Sequence, residues 1–177
     1  MGSLLVVTGP PGAGKSTVAR TVVERFERSV LVEGDAFFGF LARGAIQPWR
    51  PESSEQNDVV TKAAAAAAGC YVIGGYNTVY DGIVGAWYLP MFAAATGLDS
   101  LHYVVLLPSM DRCVARVATR EGHGFTDAAA TRHMYDQFAR AEIDQRHVLS
   151  EPPDQAEAAA DLILAAVDDE TLLYQME

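Results

Sequence analysis

The chain has 177 residues, 50% of them hydrophobic, and a formal net charge of -10. That is the size of one α/β domain with a proper core and leaves no room for a second, while the negative charge argues against non-specific binding to nucleic acid or to anionic membranes. Cys70 and Cys113 are its two cysteines and form no C-x-x-C pair, so neither a disulfide framework nor a zinc site is indicated and both are expected to be core thiols.

The N-terminus runs straight into an apolar strand, Leu4 to Thr8, without the basic and apolar regions of a signal peptide. No apolar stretch reaches the roughly 20 residues of a membrane span, and a soluble, cytoplasmic protein is expected. Gly9-Pro10-Pro11-Gly12-Ala13-Gly14-Lys15-Ser16-Thr17 follows that strand and opens a helix over about Lys15 to Glu27, which fits G-x-x-x-x-G-K-[ST] in the context the motif requires. In such a P-loop the glycines let backbone N–H groups curl round the β-phosphate, Lys15 reaches the β/γ oxygens and Ser16 ligates Mg²⁺. The helix N-terminus adds its positive dipole end.

Val30-Leu31-Val32 makes a short second strand ending at Glu33-Gly34-Asp35. Residues 36–57, with Phe37, Phe38, Phe40, Arg43, Trp49 and Arg50 among Gly and Pro punctuation, leave the sheet and form a flap of the size to face a substrate. The alanine-rich run from Asn57 to Ala68 keeps helical spacing through Val59, Val60, Ala64, Ala67 and Tyr71 and is a helix, not a linker. Gly74-Gly75 ends it, and Tyr76 to Tyr80 is the third strand, closing on Asp81-Gly82; a strand at Cys70 to Ile73 is the competing choice. Pro90 breaks the segment around Trp87 and Tyr88, Leu101 to Leu107 is the clearest buried strand, and Ser109 caps a helix over about Met110 to Thr119. After the loop Glu121 to Phe125, Thr126 or Asp127 caps a helix to about Glu142; His147-Val148-Leu149 is a candidate last strand, Pro152-Pro153 a turn and Asp154 to Val167 the final helix. Strands alternating with helices predict a three-layer α/β/α domain around a five-stranded parallel sheet in the order 2-3-1-4-5.

In open parallel sheets ligands bind beyond the carboxyl ends of the strands, where Asp35 and Asp81 both fall. Asp35 reads either as the carboxylate that accepts a proton from an attacking hydroxyl or as a turn residue capping the next helix. Asp81 reads as a Walker B-like Mg²⁺ carboxylate or as a plain Asp-Gly turn. Gly82 stands where hydrolytic motors commonly carry a second acid, so transfer to a bound hydroxyl is favoured over hydrolysis, and no N-K-x-D segment is present for guanine. Arg112, Arg116 and Arg120 recur every fourth residue on one helix face, either closing over phosphates as a lid of about 116–132 or pairing with surface acids; Arg132 is a lesser lid candidate. His123 and His133 read as surface residues, because no ligand spacing surrounds them. Phe38, Arg43 and Trp49 are candidates, with Asp35 and Asp81, for binding the acceptor.

Gly9 to Thr17, Gly34-Asp35, Asp81-Gly82 and the Arg116/Arg120 face together resemble the nucleoside-monophosphate-kinase-like P-loop kinases over nearly the whole chain. Gluconate, shikimate and adenylylsulfate kinases and chloramphenicol phosphotransferase belong to that superfamily. The resemblance implies ATP and Mg²⁺ as cofactors, a small-molecule hydroxyl as acceptor, and Lys15, Asp35 and Arg120 as the catalytic groups. Where adenylate kinases follow Asp-Gly with an arginine for the acceptor phosphate, this chain has Ile83-Val84-Gly85, which favours an antibiotic- or sugar-like alcohol over a nucleotide. A nucleotide or nucleoside kinase and an ATP-dependent regulatory protein are the alternatives, and a monomer or homodimer is expected.

Overall fold

The computed structural model describes residues 2–119 and 127–176. In chain order these form β1 (Leu4–Thr8), α1 (Lys15–Val23), β2 (Ser29–Glu33), α2 (Gly34–Phe38), α3 (Ser54–Ile73), β3 (Asn77–Asp81), α4 (Leu89–Thr96), β4 (Ser100–Leu107), α5 (Met110–Ala118), α6 (Ala128–Ala139), β5 (Val148–Ser150), α7 (Ala156–Asp168) and β6 (Leu173–Gln175). Five parallel strands lie in the order β2-β3-β1-β4-β5, as the alternating pattern predicts. A sixth strand was not expected: β6 runs antiparallel along Ser100–His102 at the start of β4, whereas β5 occupies only Val105–Leu107 at its other end. The eight-residue β4 outruns its three-residue parallel neighbour, and the chain end fills the open ladder.

Because side chains alternate across a strand, each strand feeds two cores. Leu4, Val6, Tyr80, Tyr103 and Val105 pack with α3 and α4 on one face, and Leu5, Val7, Val79, Val104 and Leu106 with α1 and α7 on the other. Ala64, Ala65 and Ala68 are buried, and Gly69 lies so close to the Thr96 carbonyl that a β-carbon there would collide with it. The alanine-rich run is therefore the close-packing seam of α3 against α4, and Cys70 to Ile73 is its last turn, not a strand.

Three local expectations are corrected. Pro90 does not break a helix but starts one, standing in the first turn of α4 where a missing N–H costs no bond. Helix α1 stops at Val23, not Glu27, because Arg25 and Phe26 donate to Val22 and Val23, three residues back instead of four. Cys113 is buried as expected, but Cys70 is exposed on the outer side of α3. The flap is tied down by α3: the Gln56 side-chain amide bonds both the N–H and the carbonyl of Ile46 at 2.7 Å, and Asn57 donates to the Pro48 carbonyl at 2.8 Å. Among the described residues no helix is long and apolar enough to cross a membrane.

Candidate active site

The loop from β1 to α1 wraps tightly against β4 at Gly9 and against α5 at Gly12. Gly12 has φ 79°, where L-residues are strained, and a β-carbon on it would strike the carbonyl of Cys113. The loop closes on itself through the Ala13 N–H to Pro10 carbonyl bond at 3.2 Å, and Lys15 Nζ donates to the same carbonyl at 3.1 Å. No side-chain hydrogen bond caps α1 at Gly14, so its first-turn amides are left for an anion.

Asp81 ends β3, in register with Val7 on one side and Glu33 on the other, and is only 8% exposed. Burial pushes its carboxyl above the usual range; a hydrogen bond with Ser16 and the nearby Lys15 charge oppose this, while Asp35 and Glu33 add to it. The sequence thus brings Ser16, Lys15 and Asp81 together from separate elements. Asp35 lies exposed in the first turn of α2, whose cap position is Glu33, so it is not the capping residue. Glu33 is itself engaged by Arg20 at 2.7 Å.

A cavity of about 350 Å³ opens beside the loop, lined by Gly12 to Val18, Arg116, Thr119, Pro152 to Asp154 and Ala156. Arg116 Nη1 points at the carbonyls of Gly12 and Ala13, at 3.4 and 3.5 Å, and its Nη2 lies 3.4 Å from Asp154. Arg116 thus borders the loop on its carbonyl side and lines the cavity together with Pro152 and Pro153. Arg112 binds Asp154 and Glu151, which is the surface pairing considered from the sequence. Arg132 is turned aside onto Met110, and His133 is exposed. Arg120, His123 and the middle of the expected lid lie outside the described residues.

On the other side of the carboxylates, Phe38 is half-buried in α2, while Arg43 and Trp49 are exposed on the flap and do not line the cavity. Phe37 packs edge-on to Phe40 at 5.3 Å, and Trp87 packs on Phe138 of α6 at 5.1 Å. Sequence reading missed Thr119 and Asp154 and took Pro152-Pro153 for a plain turn; the available signal was its position just past the carboxyl end of β5, where ligands of parallel sheets bind.

A family model described as an AAA domain matches residues 4–142. No curated protein matches the sequence. Among solved structures, the chain is similar to an unliganded sugar kinase from Janibacter, at 19% identity and TM-score 0.72 over 95% of each chain. It is also similar to the Mycobacterium tuberculosis APS kinase solved with AMPPNP and APS, at 16% identity and TM-score 0.70 over 94% of this chain and 98% of that one. The Deinococcus radiodurans tunicamycin resistance protein matches at 18% identity and TM-score 0.65 over 94% and 96%. A shared P-loop α/β fold is what these likenesses establish, and the chain belongs to the AAA domain family.

Proposed function

We propose that this protein transfers the γ-phosphate of ATP to a hydroxyl of a small molecule that carries no phosphate of its own, an antibiotic- or sugar-like alcohol. The observation that carries this reading is the segment after Asp81. Its Val84 is fully buried, with its N–H bonded to Thr8 Oγ1 at 2.8 Å and its carbonyl accepting from the Tyr103 hydroxyl at 2.6 Å. The backbone that leaves Asp81 is thereby fixed, and Ile83-Val84-Gly85 offers no cation to an acceptor phosphate. The sugar kinase and antibiotic-resistance structures on the same fold support the class of acceptor by analogy.

In this reading the amides of Gly9 to Thr17 and Lys15 hold the β- and γ-phosphates, and Arg116 with Pro152-Pro153 holds the nucleotide at the outer rim. Ser16 and Asp81, already adjacent, are the residues that would hold Mg²⁺, which when bound neutralises charge on the phosphates. The acceptor oxygen forms a bond to the γ-phosphorus as the bond to the β–γ bridging oxygen breaks; ADP leaves and the hydroxyl proton passes to Asp35. Arg120 is assigned to the closing lid, with Phe38, Arg43 and Trp49 of the flap on the acceptor side.

The test is a panel of ATP-dependent phosphorylations: sugar alcohols and acids, chloramphenicol-like and nucleoside antibiotics, nucleosides and nucleoside monophosphates. ADP release stimulated by an alcohol of the first two groups is expected. Turnover confined to nucleosides or their monophosphates would give the nucleotide-kinase alternative, and slow hydrolysis indifferent to every acceptor would give the regulatory one.

A further inference from the structure

Gly34 and Gly82, which adjoin the two carboxylates, are not turn glycines, since neither has a positive φ. Their small size has another cause. A β-carbon built on either would collide with the Tyr80 hydroxyl or with the ring carbon that carries it. Two glycines, one beginning α2 and one following β3, thus leave room for a single phenol between them.

Tyr80 is the penultimate residue of β3 and only 3% exposed. Its ring is held edge-on against Phe92 at a centroid distance of 4.7 Å. Both Asp35 and Asp81 lie near enough that their charges, after burial itself, push the phenol's pKa well above its ordinary value. It therefore stays protonated and can donate. The two buried side-chain polar atoms without a partner among the described residues are Asn57 Oδ1 and His102 Nδ1. The phenol is not one of these, and no hydrogen bond joins it to a side chain or carbonyl of the described residues. A core tyrosine held by packing alone would gain nothing from a hydroxyl in this place, whereas phenylalanine would fill the same space without its desolvation cost.

We propose that Tyr80 is an acceptor-binding residue whose hydroxyl, lodged against Gly34 and Gly82, the chain neighbours of Asp35 and Asp81, donates a hydrogen bond to an oxygen of the bound alcohol. The inference rests on the phosphotransferase reading and extends it. With two carboxylates at the site able only to accept when ionised, a donor is what an alcohol oxygen otherwise lacks there. A neutral donor also suits an uncharged polyol better than a phosphorylated one.

The experiment compares wild type with Tyr80→Phe on the alcohol that wild type phosphorylates best in the panel above. Loss of one neutral hydrogen bond is expected to raise the acceptor KM about fivefold to tenfold, with the KM for ATP and the melting temperature unchanged. Unchanged acceptor KM at unchanged stability overturns the role of Tyr80 and leaves the phosphotransferase reading intact. If wild type phosphorylates no alcohol, that reading fails and this inference with it. If Tyr80→Phe does not fold, 2,3-difluorotyrosine placed at position 80 keeps the shape but ionises at lower pH. Acceptor kcat/KM should then fall at alkaline pH where wild type holds steady, and an unaltered pH profile refutes the proposal.

Discussion

Three glycines with left-handed backbone separate strain from collision and so test how the phosphate loop is built. Gly44, at φ 71°, has no atom within 4 Å of a built β-carbon, and Gly14, at φ 97°, has only the tip of Arg116 at 3.5 Å. Gly12, at φ 79°, has the Cys113 backbone in the way. Alanine in the left-handed region costs about 1–2 kcal/mol, partly offset by about 0.4–1 kcal/mol from the less flexible unfolded chain. Gly44→Ala and Gly14→Ala should therefore each lower stability by about 1 kcal/mol, roughly 2–4 °C in melting temperature for a chain of this size. In Gly12→Ala neither the loop nor α5 can yield cheaply, because the obstructing Cys113 atoms are all backbone; the loss should exceed about 3 kcal/mol, or about 6 °C or more. Thermal melts with and without Mg-AMPPNP supply the second readout, since ligand at a hundredfold excess over Kd adds about 2.7 kcal/mol. Gly44→Ala should keep that increment and Gly12→Ala lose it. Equal melting losses for all three, with the nucleotide increment intact in Gly12→Ala, would refute the packing of the loop on α5.

Lys15→Ala should abolish the stabilisation by Mg-ATP, because the ammonium that reaches the β- and γ-phosphate oxygens of a P-loop is removed; a melting shift equal to wild type would remove the phosphate site. Asp35→Asn should leave ATP binding intact and lower the transfer rate by about 10² to 10⁴; a rise in acceptor KM at constant kcat would make it an orienting group instead, as a loose transition state permits. His147 is buried with Nδ1 3.0 Å from the Tyr103 carbonyl, and its pKa is lowered, chiefly by burial. The folded state then binds fewer protons than the unfolded one, so this stability is present above the ordinary histidine value near 6.5 and lost as pH falls below it. His102 is lowered by burial too, so melting temperature should fall between about pH 7 and 5.5, less steeply in His147→Gln and least when His102 is also replaced; a slope unchanged in both variants would refute the assignment.

The parts of this molecule legible in sequence are those whose physics is local. The P-loop announces itself because nine consecutive residues supply its amides, its bends and its lysine, and the strand order follows from helices alternating with apolar runs. Pro90 misled because the same residue breaks a helix interior and starts a helix, and only the packing of Phe92 and Ala93 against α3 decides between them. Strand β6 is three residues long, too short for any period, and exists because β4 has a vacant edge elsewhere in the chain. The walls of the cavity beside the loop come from residues about 140 positions apart, joined only when β5 pairs with β4. Gly34 and Gly82 were legible as glycines beside acids, but their reason, the Tyr80 ring between them, is a fact of packing.

A protein of net charge -10 that takes up a polyanion must keep cations at hand without letting its own acids consume them. Arg112 and Arg116 show how this is arranged. Arg112 bridges Asp154 and Glu151, and Arg116 shares Asp154 with the loop carbonyls. The Asp154 side chain is 81% exposed, so each of these pairs is worth only about 0–1 kcal/mol in water. Arg116 thus lines the cavity while held only by weak, exposed partners, and Asp154 is shared between Arg112 and Arg116. Lys15 donates to the Pro10 carbonyl, and its charge acts on Asp81. The long-range repulsion of the surface is screened within about 8 Å at physiological salt, whereas in the proposed reading the amide cradle and Lys15 act in contact with the phosphates. The acidic surface therefore slows the encounter more than it weakens the complex, and it leaves the pocket itself free to be basic.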